Sequence, residues 1–409
     1  MVFGRTASRR RDTDGTAARA ARLSCSLSGT NLARAGDYNL RTVLQAIRLN
    51  PGTTRVAIAA QTGLTAPTIA NITGRLAAMG LVHTTGRRQG SRGQPALQLE
   101  ANADGAFAIG LAIDRDHLTL VTLDLIGAVR SRITREIAFA SPDDVSGFVT
   151  ESLDPLIAAA RVDRDRVLGV GIAMPDDLGG IALPHRPSDY DRWSRLDIGA
   201  HLAPLLPWPI HVDNDAAAAA LGEAQHGAAF AAPSFFYLLV SAGLGGGLVI
   251  DRTYHRGAHA RSGEIGLMPD LAADRAPAVV QDTVSLSALF ARLEAAGLAP
   301  TLATLAESAA GVVIDRWLAD SVEALVQPMI AISCLLDPDA VLIGGRLPMP
   351  LIERLAAGLT ARLAATRLPV RAPVLPAAMA QDAPAVGAAI LPFLAHLLPS
   401  DAILIQAGR

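Results

Sequence analysis

The chain of 409 residues predicts an α/β protein: a winged helix-turn-helix followed by a larger body of two α/β lobes. Three observations predict it. Residues 53–82 read as helix, glycine turn and helix. The stretch after residue 104 twice repeats a strand triplet followed by alternating helix and strand. Charge divides the same way: residues 1–100 hold 14 Arg against Asp12, Asp14, Asp37 and Glu100, a net +10, while the remainder carries −12. A basic end joined to an acidic body suits a nucleic-acid-binding segment attached to a globular domain. All 36 basic residues are Arg; Arg suits bidentate contacts, but we attach no function to this usage.

Residues 1–36 read as a basic, flexible arm, rich in Arg, Ser and Ala with no apolar centre, so not a secretory signal. A winged helix-turn-helix is expected over 37–101. Leu40, Val43, Leu44 and Ile47 repeat at i, i+3, i+4 and i+7, a first supporting helix. In the motif itself, Ala59 is the small contact residue, Gly63 the turn residue and Leu64 the first core residue. Thr65 can cap the next helix, with Pro67 tolerated in its first turn. Ile69, Ile72, Leu76 and Met79 form its inward face. Ala66, Thr68 and Asn71 on the opposite face suit base edges and phosphates. Downstream, LVHTTG and PALQLE flank the polar loop RRQGSRGQ, a candidate wing whose Arg87, Arg88 and Arg92 can reach phosphates or a minor groove. Arg55, Thr65 and Arg75 complete the candidate DNA contacts. The bland alternative is an ordinary helical hairpin in a core; the charge split and the candidate wing weigh against it.

The body begins near residue 104. GAFAIGLAIDRDHLTLVTLDLIGAVRSRITREIAF reads as three strands turning near Asp114–Asp116 and Gly127. A helix follows near 143–161, then the buried strand VLGVGIAMP. IHVDNDA runs from a strand into the helix AAAALGEAQHG. SFFYLLVSAGLGGGLVIDRTYHRG is a strand, a glycine turn and a returning strand, and an amphipathic stretch near 311–335 leads into AVLIGG. Ligands of such folds bind at strand carboxyl ends and between lobes. Cys25 and Cys334 allow at most one disulfide and form no metal cluster, so a reducing cytoplasm is the expected location. No uninterrupted apolar run of about 18 residues suggests a membrane span.

Asn214 and Asp215 at a strand end present an amide and a carboxylate that together donate to and accept from sugar hydroxyls. Asp215 also suits a helix N-cap, since an alanine run follows. Glu264, between Gly263 and Gly266, is a second acceptor or a solvated loop residue. Gly243, Gly245, Gly246 and Gly247 either cradle phosphate through backbone N–H groups or form a plain tight turn.

From about Asn31 onward the chain resembles the ROK family of sugar kinases and sugar-responsive repressors, which implies an actin-like (ribonuclease H-like) domain over 104–409. VDNDAAAAALGE resembles the family's sugar motif, SAGLGGGLVI its second phosphate turn, GAHARSGEIG its sugar-contacting loop and DPDAVLIGG the segment near the nucleotide base. The resemblance implies carbohydrate binding by Asn214, Asp215, Glu264 and Gln281, and a vestigial phosphate loop at Gly243, Gly245 and Gly246.

Departures from the family pattern bear on activity. Aligned on Gly110, the first phosphate turn reads GLAIDRDH. Ala112 stands at the aspartate position and Asp114 and Arg115 where glycines belong, so magnesium and phosphate lose their partners. The family's zinc ligands fall on Leu267 and Val279, so no metal is expected. Gln281 replaces a glutamate, and His255 and His259 read as loop histidines. Asp176 and Asp177 favour a neutral sugar or polyol over a sugar phosphate. The resulting expectation is a non-enzymatic, sugar-responsive regulator of double-stranded DNA, without a cofactor, as a homodimer or homotetramer. It would most simply repress carbohydrate uptake or catabolism genes. The rival readings are a sugar kinase with an added DNA-binding domain, and a regulator sensing a protein partner.

Overall fold

A computed structural model describes residues 32–88, 96–176, 178–180, 186–226, 232–274, 277–368, 370–379 and 382–400. These form two compact units, one of residues up to Gly105 together with those from Phe393, the other Ala106–Pro392. The sequence reads as one domain over 104–409; by its contacts the segment from Phe393 groups with the N-terminal unit.

In the first unit, helix α1 (Leu32–Leu49) starts inside the stretch expected to be a flexible arm. Leu40, Val43, Leu44 and Ile47 are buried, which is the stripe their spacing requires. The Arg41 guanidinium donates to the carbonyls of Leu394 (3.2 Å) and Ala395 (2.9 Å), and pairs with Asp37 at 2.9 Å. Strand β1 (Thr53–Thr54) leads into α2 (Arg55–Thr62), where the Thr54 hydroxyl accepts from Ala57 N–H. Gly63 ends α2 at φ 71°, a left-handed conformation that glycine adopts without a Cβ clash. Thr65 caps α3 (Ala66–Ala78) by accepting from Thr68 N–H at 3.4 Å.

Ile69, Ile72 and Leu76 are buried with Thr73. Met79, expected on the same inward face, is 53% exposed. The helix ends at Ala78, so Met79 is its C-cap and leaves the apolar stripe. Strands β2 (Val82–Arg88) and β3 (Ala96–Ala101) pair antiparallel, and β1 adds to β3 to complete a three-stranded sheet. The wing tip lies outside the described residues.

The second unit holds two five-stranded sheets of one plan. In the first, β4 (Phe107–Ile113), β5 (His117–Asp124) and β6 (Val129–Glu136) form an antiparallel meander. Strands β7 (Val167–Met174) and β8 (Ile210–Asn214) continue parallel from β4. The second sheet repeats this with β9 (Phe235–Val240), β10 (Leu244–Ile250) and β11 (Thr253–Tyr254), then β12 (Ala340–Gly345) and β13 (Val374–Pro376). Every residue of β4, β5, β9 and β12 is buried, as expected where both faces of a sheet are covered.

Helix α4 (Pro142–Ala160) covers the first sheet and carries a Ser141–Asp144 capping box. The short α5 (Ile198–Leu202) precedes β8, and α6 (Asp215–His226) follows it directly. Helices α7 (Leu286–Ala295), α8 (Gly311–Leu335) and α9 (Met349–Ala364) serve the second sheet. Helix α8 is, by length and composition, apolar enough to cross a membrane, but it buries Trp317, Leu325, Met329 and Ile332 in the core of its lobe. Helix α10 (Ala383–His396) lies so close to the first sheet that a Cβ on Gly171 would sit 1.7 Å from the Ala388 carbonyl oxygen.

Candidate functional site

In the first unit, Arg55, Thr65, Ala66, Asn71 and Arg75 are exposed, and Thr68 is partly exposed. The Thr68 hydroxyl lies 2.8 Å from that of Thr65. This pair fixes the start of α3 and leaves Asn71, one turn on, as the longer amide on that face. Arg87 and Arg88 fall within β2, but their side chains, like Arg92, lie outside the described residues.

In the second unit a cleft of about 130 Å³ opens where β7 and β8 end, facing the turn before β10. Asn214, Asp215, Glu264, Gln281, Gly243 and Gly245, far apart in sequence, line it together. Arg115, Asp176, Arg261 and Leu267 line it too. Of these, Arg115 reads in the sequence only as a lost glycine, and Arg261 within GAHARSGEIG carries no sequence signal of its own. Asp177 lies outside the described residues.

The cap expected of Asp215 belongs to Asn214. Its Oδ1 accepts from Ala217 N–H at 3.1 Å, three residues on, while Asp215 reaches only its neighbour Ala216 N–H at 2.8 Å. The geometry follows from α6 starting one residue after the strand ends. The cap uses Asn214 Oδ1 alone, and Asp215 keeps acceptor capacity in the cleft wall. Burial raises the Asp215 carboxyl to a pKa of about 7; Asp114 and Asp176 add to the rise, and Arg115 and the Ala216 N–H offset part of it. Such a carboxyl can change protonation near neutral pH when a ligand enters. Asp213 is also raised, first by burial, although it is ion-paired with Arg256.

Gly245 and Gly246 are not in a loop. They lie inside β10, paired with Leu239 and Leu238, and of the candidate phosphate glycines only Gly243 stands in the turn. Packing explains the run: a Cβ on Gly245 would come within 2.9 Å of Ala216 Cβ, and one on Gly246 within 2.5 Å of the Gly263 carbonyl oxygen. The glycines thus hold β10 against α6 and against the Glu264 loop. Glu264 itself is 38% exposed and 3.9 Å from Arg261.

Ala112 is buried within β4, and no ligand atom is offered there. Asp114, Asp116 and His117 bring their ligand atoms within 4.8 Å of one another. Asp116, however, accepts from Arg346 Nη1 at 2.7 Å and lies 2.7 Å from His117 Nδ1. The cluster is accounted for by this ion pairing. Arg346 also donates to Glu136 at 2.6 Å, so one guanidinium following β12 ties the second sheet to the first. Opposite it in α6, the buried Glu223 carboxylate accepts from Ala378 and Met379 N–H at 2.9 and 3.1 Å, a structural role for the last residue of the VDNDAAAAALGE stretch.

Residues 108–393 match the ROK family, and residues 37–83 match a winged helix-turn-helix DNA-binding family. The chain is 29% identical over 370 residues to the uncharacterized protein y4fQ of Sinorhizobium fredii, covering 87% of this chain and 91% of that one. It is 24% identical over 234 residues to the xylose repressor of Bacillus subtilis, covering 56% of this chain and 60% of the repressor. Among solved structures, a ROK family transcriptional regulator described as a homolog of the Escherichia coli MLC protein superposes with a TM-score of 0.64 at 22% identity. That match covers 90% of this chain and 99% of the other. A ROK glucokinase from Streptomyces griseus superposes with a TM-score of 0.55 at 21% identity, covering 70% and 99%. Both structural matches speak to the fold. With its second unit matched over nearly its whole length and a winged helix-turn-helix before it, this chain belongs to the ROK family.

Proposed function

We propose that the protein is a DNA-binding transcriptional regulator whose affinity for its operator responds to a carbohydrate, acting as a repressor of carbohydrate uptake or catabolism genes. One observation carries this reading: the chain joins a winged helix-turn-helix to a cleft that gathers Asn214, Asp215, Glu264 and Gln281 while Ala112 offers nothing to hold magnesium. Hydroxyl-rich ligands are recognised by such alternating donors and acceptors.

In this account the carbohydrate shifts the population between a state that fits the operator and one that does not, in proportion to its differential affinity for the two. Thr68 and Asn71 read base edges. Arg55, Thr65, Ala66 and Arg75 of the helices, and Arg87, Arg88 and Arg92 of the wing, follow the backbone. A homodimer or homotetramer in the cytoplasm, on half-sites one or two helical turns apart, is part of the same proposal. The relatedness to the xylose repressor supports the regulator reading.

The kinase reading requires a magnesium-bound phosphate beside β4. There the chain has Ala112, Asp114 and Arg115, so we infer a non-enzymatic body without a nucleotide cofactor. Incubation of the protein with ATP, magnesium and a panel of aldoses tests this; sugar-dependent ADP formation would overturn it.

A further inference from the structure

Arg115 is the least ordinary member of the cleft. The residue is 7% exposed, and its Nε is buried without a hydrogen-bond partner. Among the described residues the guanidinium forms no hydrogen bond or ion pair; only its backbone is engaged, N–H with Asp114 at 2.7 Å and carbonyl with Phe139 N–H. The group points into the cleft, since a Cβ on Gly243 would lie 3.1 Å from its Nη1 and 3.6 Å from Gln281 Oε1. A buried guanidinium without a hydrogen-bond acceptor is costly, and a ligand entering the cleft can supply one.

The acidic residues around it do not fill that role. Asp114 caps the Arg115 backbone N–H, Glu264 lies beside Arg261, and Asp215, although its charge interacts with Arg115, accepts from Ala216 N–H instead of from the guanidinium. Neutral hydroxyls are already served by Asn214, Asp215, Glu264 and Gln281. What the cleft has in addition is one planar, forked cation, which matches a carboxylate bidentately. A phosphate dianion would bring a second negative charge into a cleft already lined by Asp176, Asp215 and Glu264.

We propose that the effector is an acidic monosaccharide, a uronate or aldonate type of ligand with a single carboxylate, and that Arg115 receives that carboxylate. The inference rests on the carbohydrate-sensing reading above and narrows it, replacing the neutral sugar that Asp176 and Asp177 alone suggest. Arg115 occupies the turn where a nucleotide-using relative would keep glycine, so a cation fixed by the protein stands where a diffusible phosphate group would otherwise be bound.

The test is isothermal titration of the full chain with D-glucuronate, D-galacturonate and D-xylonate. D-glucose, D-galactose, D-xylose and glucose 6-phosphate are titrated alongside, against wild type, Arg115→Lys and Arg115→Met. The expected result is at least tenfold tighter binding of one acid than of its neutral counterpart. That preference is expected to fall several-fold in Arg115→Lys and to vanish in Arg115→Met, while Arg115→Met melts no lower than wild type. A neutral sugar or glucose 6-phosphate that binds as tightly as the acid, with Arg115→Met unchanged, overturns the assignment and leaves carbohydrate sensing standing. Binding of no sugar in the panel overturns both.

Discussion

Arg346 Nη1 donates to Asp116 Oδ2 at 2.7 Å, joining the segment after β12 to the turn between β4 and β5. The same guanidinium reaches Glu136, so a single side chain staples two strand ends of the first sheet to the second. Burial pushes the Asp116 carboxyl up, but His117 and Arg346 together outweigh it and hold it below the usual carboxylate range. A depressed carboxyl stabilises the fold above its unfolded pKa, near 3.8, and that contribution is lost as pH falls through the still lower folded value.

Replacing Arg346 with Met should therefore lower stability at pH 7 by about 1–3 kcal/mol, the scale of charge-assisted hydrogen bonds removed from partly buried acceptors. Urea titrations read this directly. The deficit should shrink below about pH 4 as the carboxylates protonate, and a deficit that stays constant down to pH 3 would assign it to lost packing.

Asp215 titrates in the opposite sense. Its folded pKa is raised from 3.8 to about 7, so its contribution to stability is fully present below the unfolded pKa and is lost as pH rises through the folded value. Asp215→Asn should melt several degrees higher than wild type at pH 8, and the difference should narrow as pH falls and close only below the unfolded pKa of 3.8. The same variant should lose carbohydrate binding at least tenfold by calorimetry, because an acceptor in the cleft is gone. Equal melting of the two proteins at pH 8 would contradict the assigned environment.

On the DNA side, Asn71→Ala and Thr68→Ala should each weaken specific binding by about 5- to 150-fold, corresponding to roughly 1–3 kcal/mol per base contact. Arg75→Ala should weaken binding to all sequences alike and reduce the salt dependence by about one unit of slope. Fluorescence anisotropy at several salt concentrations separates the two effects.

Gly171→Ala tests the packing of α10 on the first sheet. The added Cβ would meet the Ala388 carbonyl oxygen at 1.7 Å, and backbone must move to admit it. A loss of at least about 1–3 kcal/mol is expected from overpacking, read as a lower urea midpoint. A variant as stable as wild type would mean that α10 does not lie so close.

Much of this architecture is legible in the residues because it is set locally. Gly63 and Thr65 stop one helix and start the next within three positions, and Ile69, Ile72 and Leu76 repeat with the helix. Errors arise where the deciding partner is distant. Met79 keeps the apolar spacing but falls on the C-cap. Strand β1 exists only because β3 returns to pair with it. The glycines after Leu244 read as a turn, yet their small size is required by Ala216 and Gly263, which sequence distance conceals. Arg115 is the clearest case. As a letter it is a glycine lost from a phosphate turn, and only the approach of the Gly243 turn reveals a buried cation facing a cleft.

Whether the protein is a DNA-binding regulator switched by a carbohydrate is decided by anisotropy of the full chain on double-stranded DNA from upstream of its own gene. Measurements are made at low salt, with and without the neutral and acidic sugars. The expected result is binding that Asn71→Ala weakens and that at least one sugar relieves tenfold or more, with the relief abolished in Asp215→Asn. Absence of binding to that DNA at low salt, or binding indifferent to every sugar and to Asn71, would contradict it.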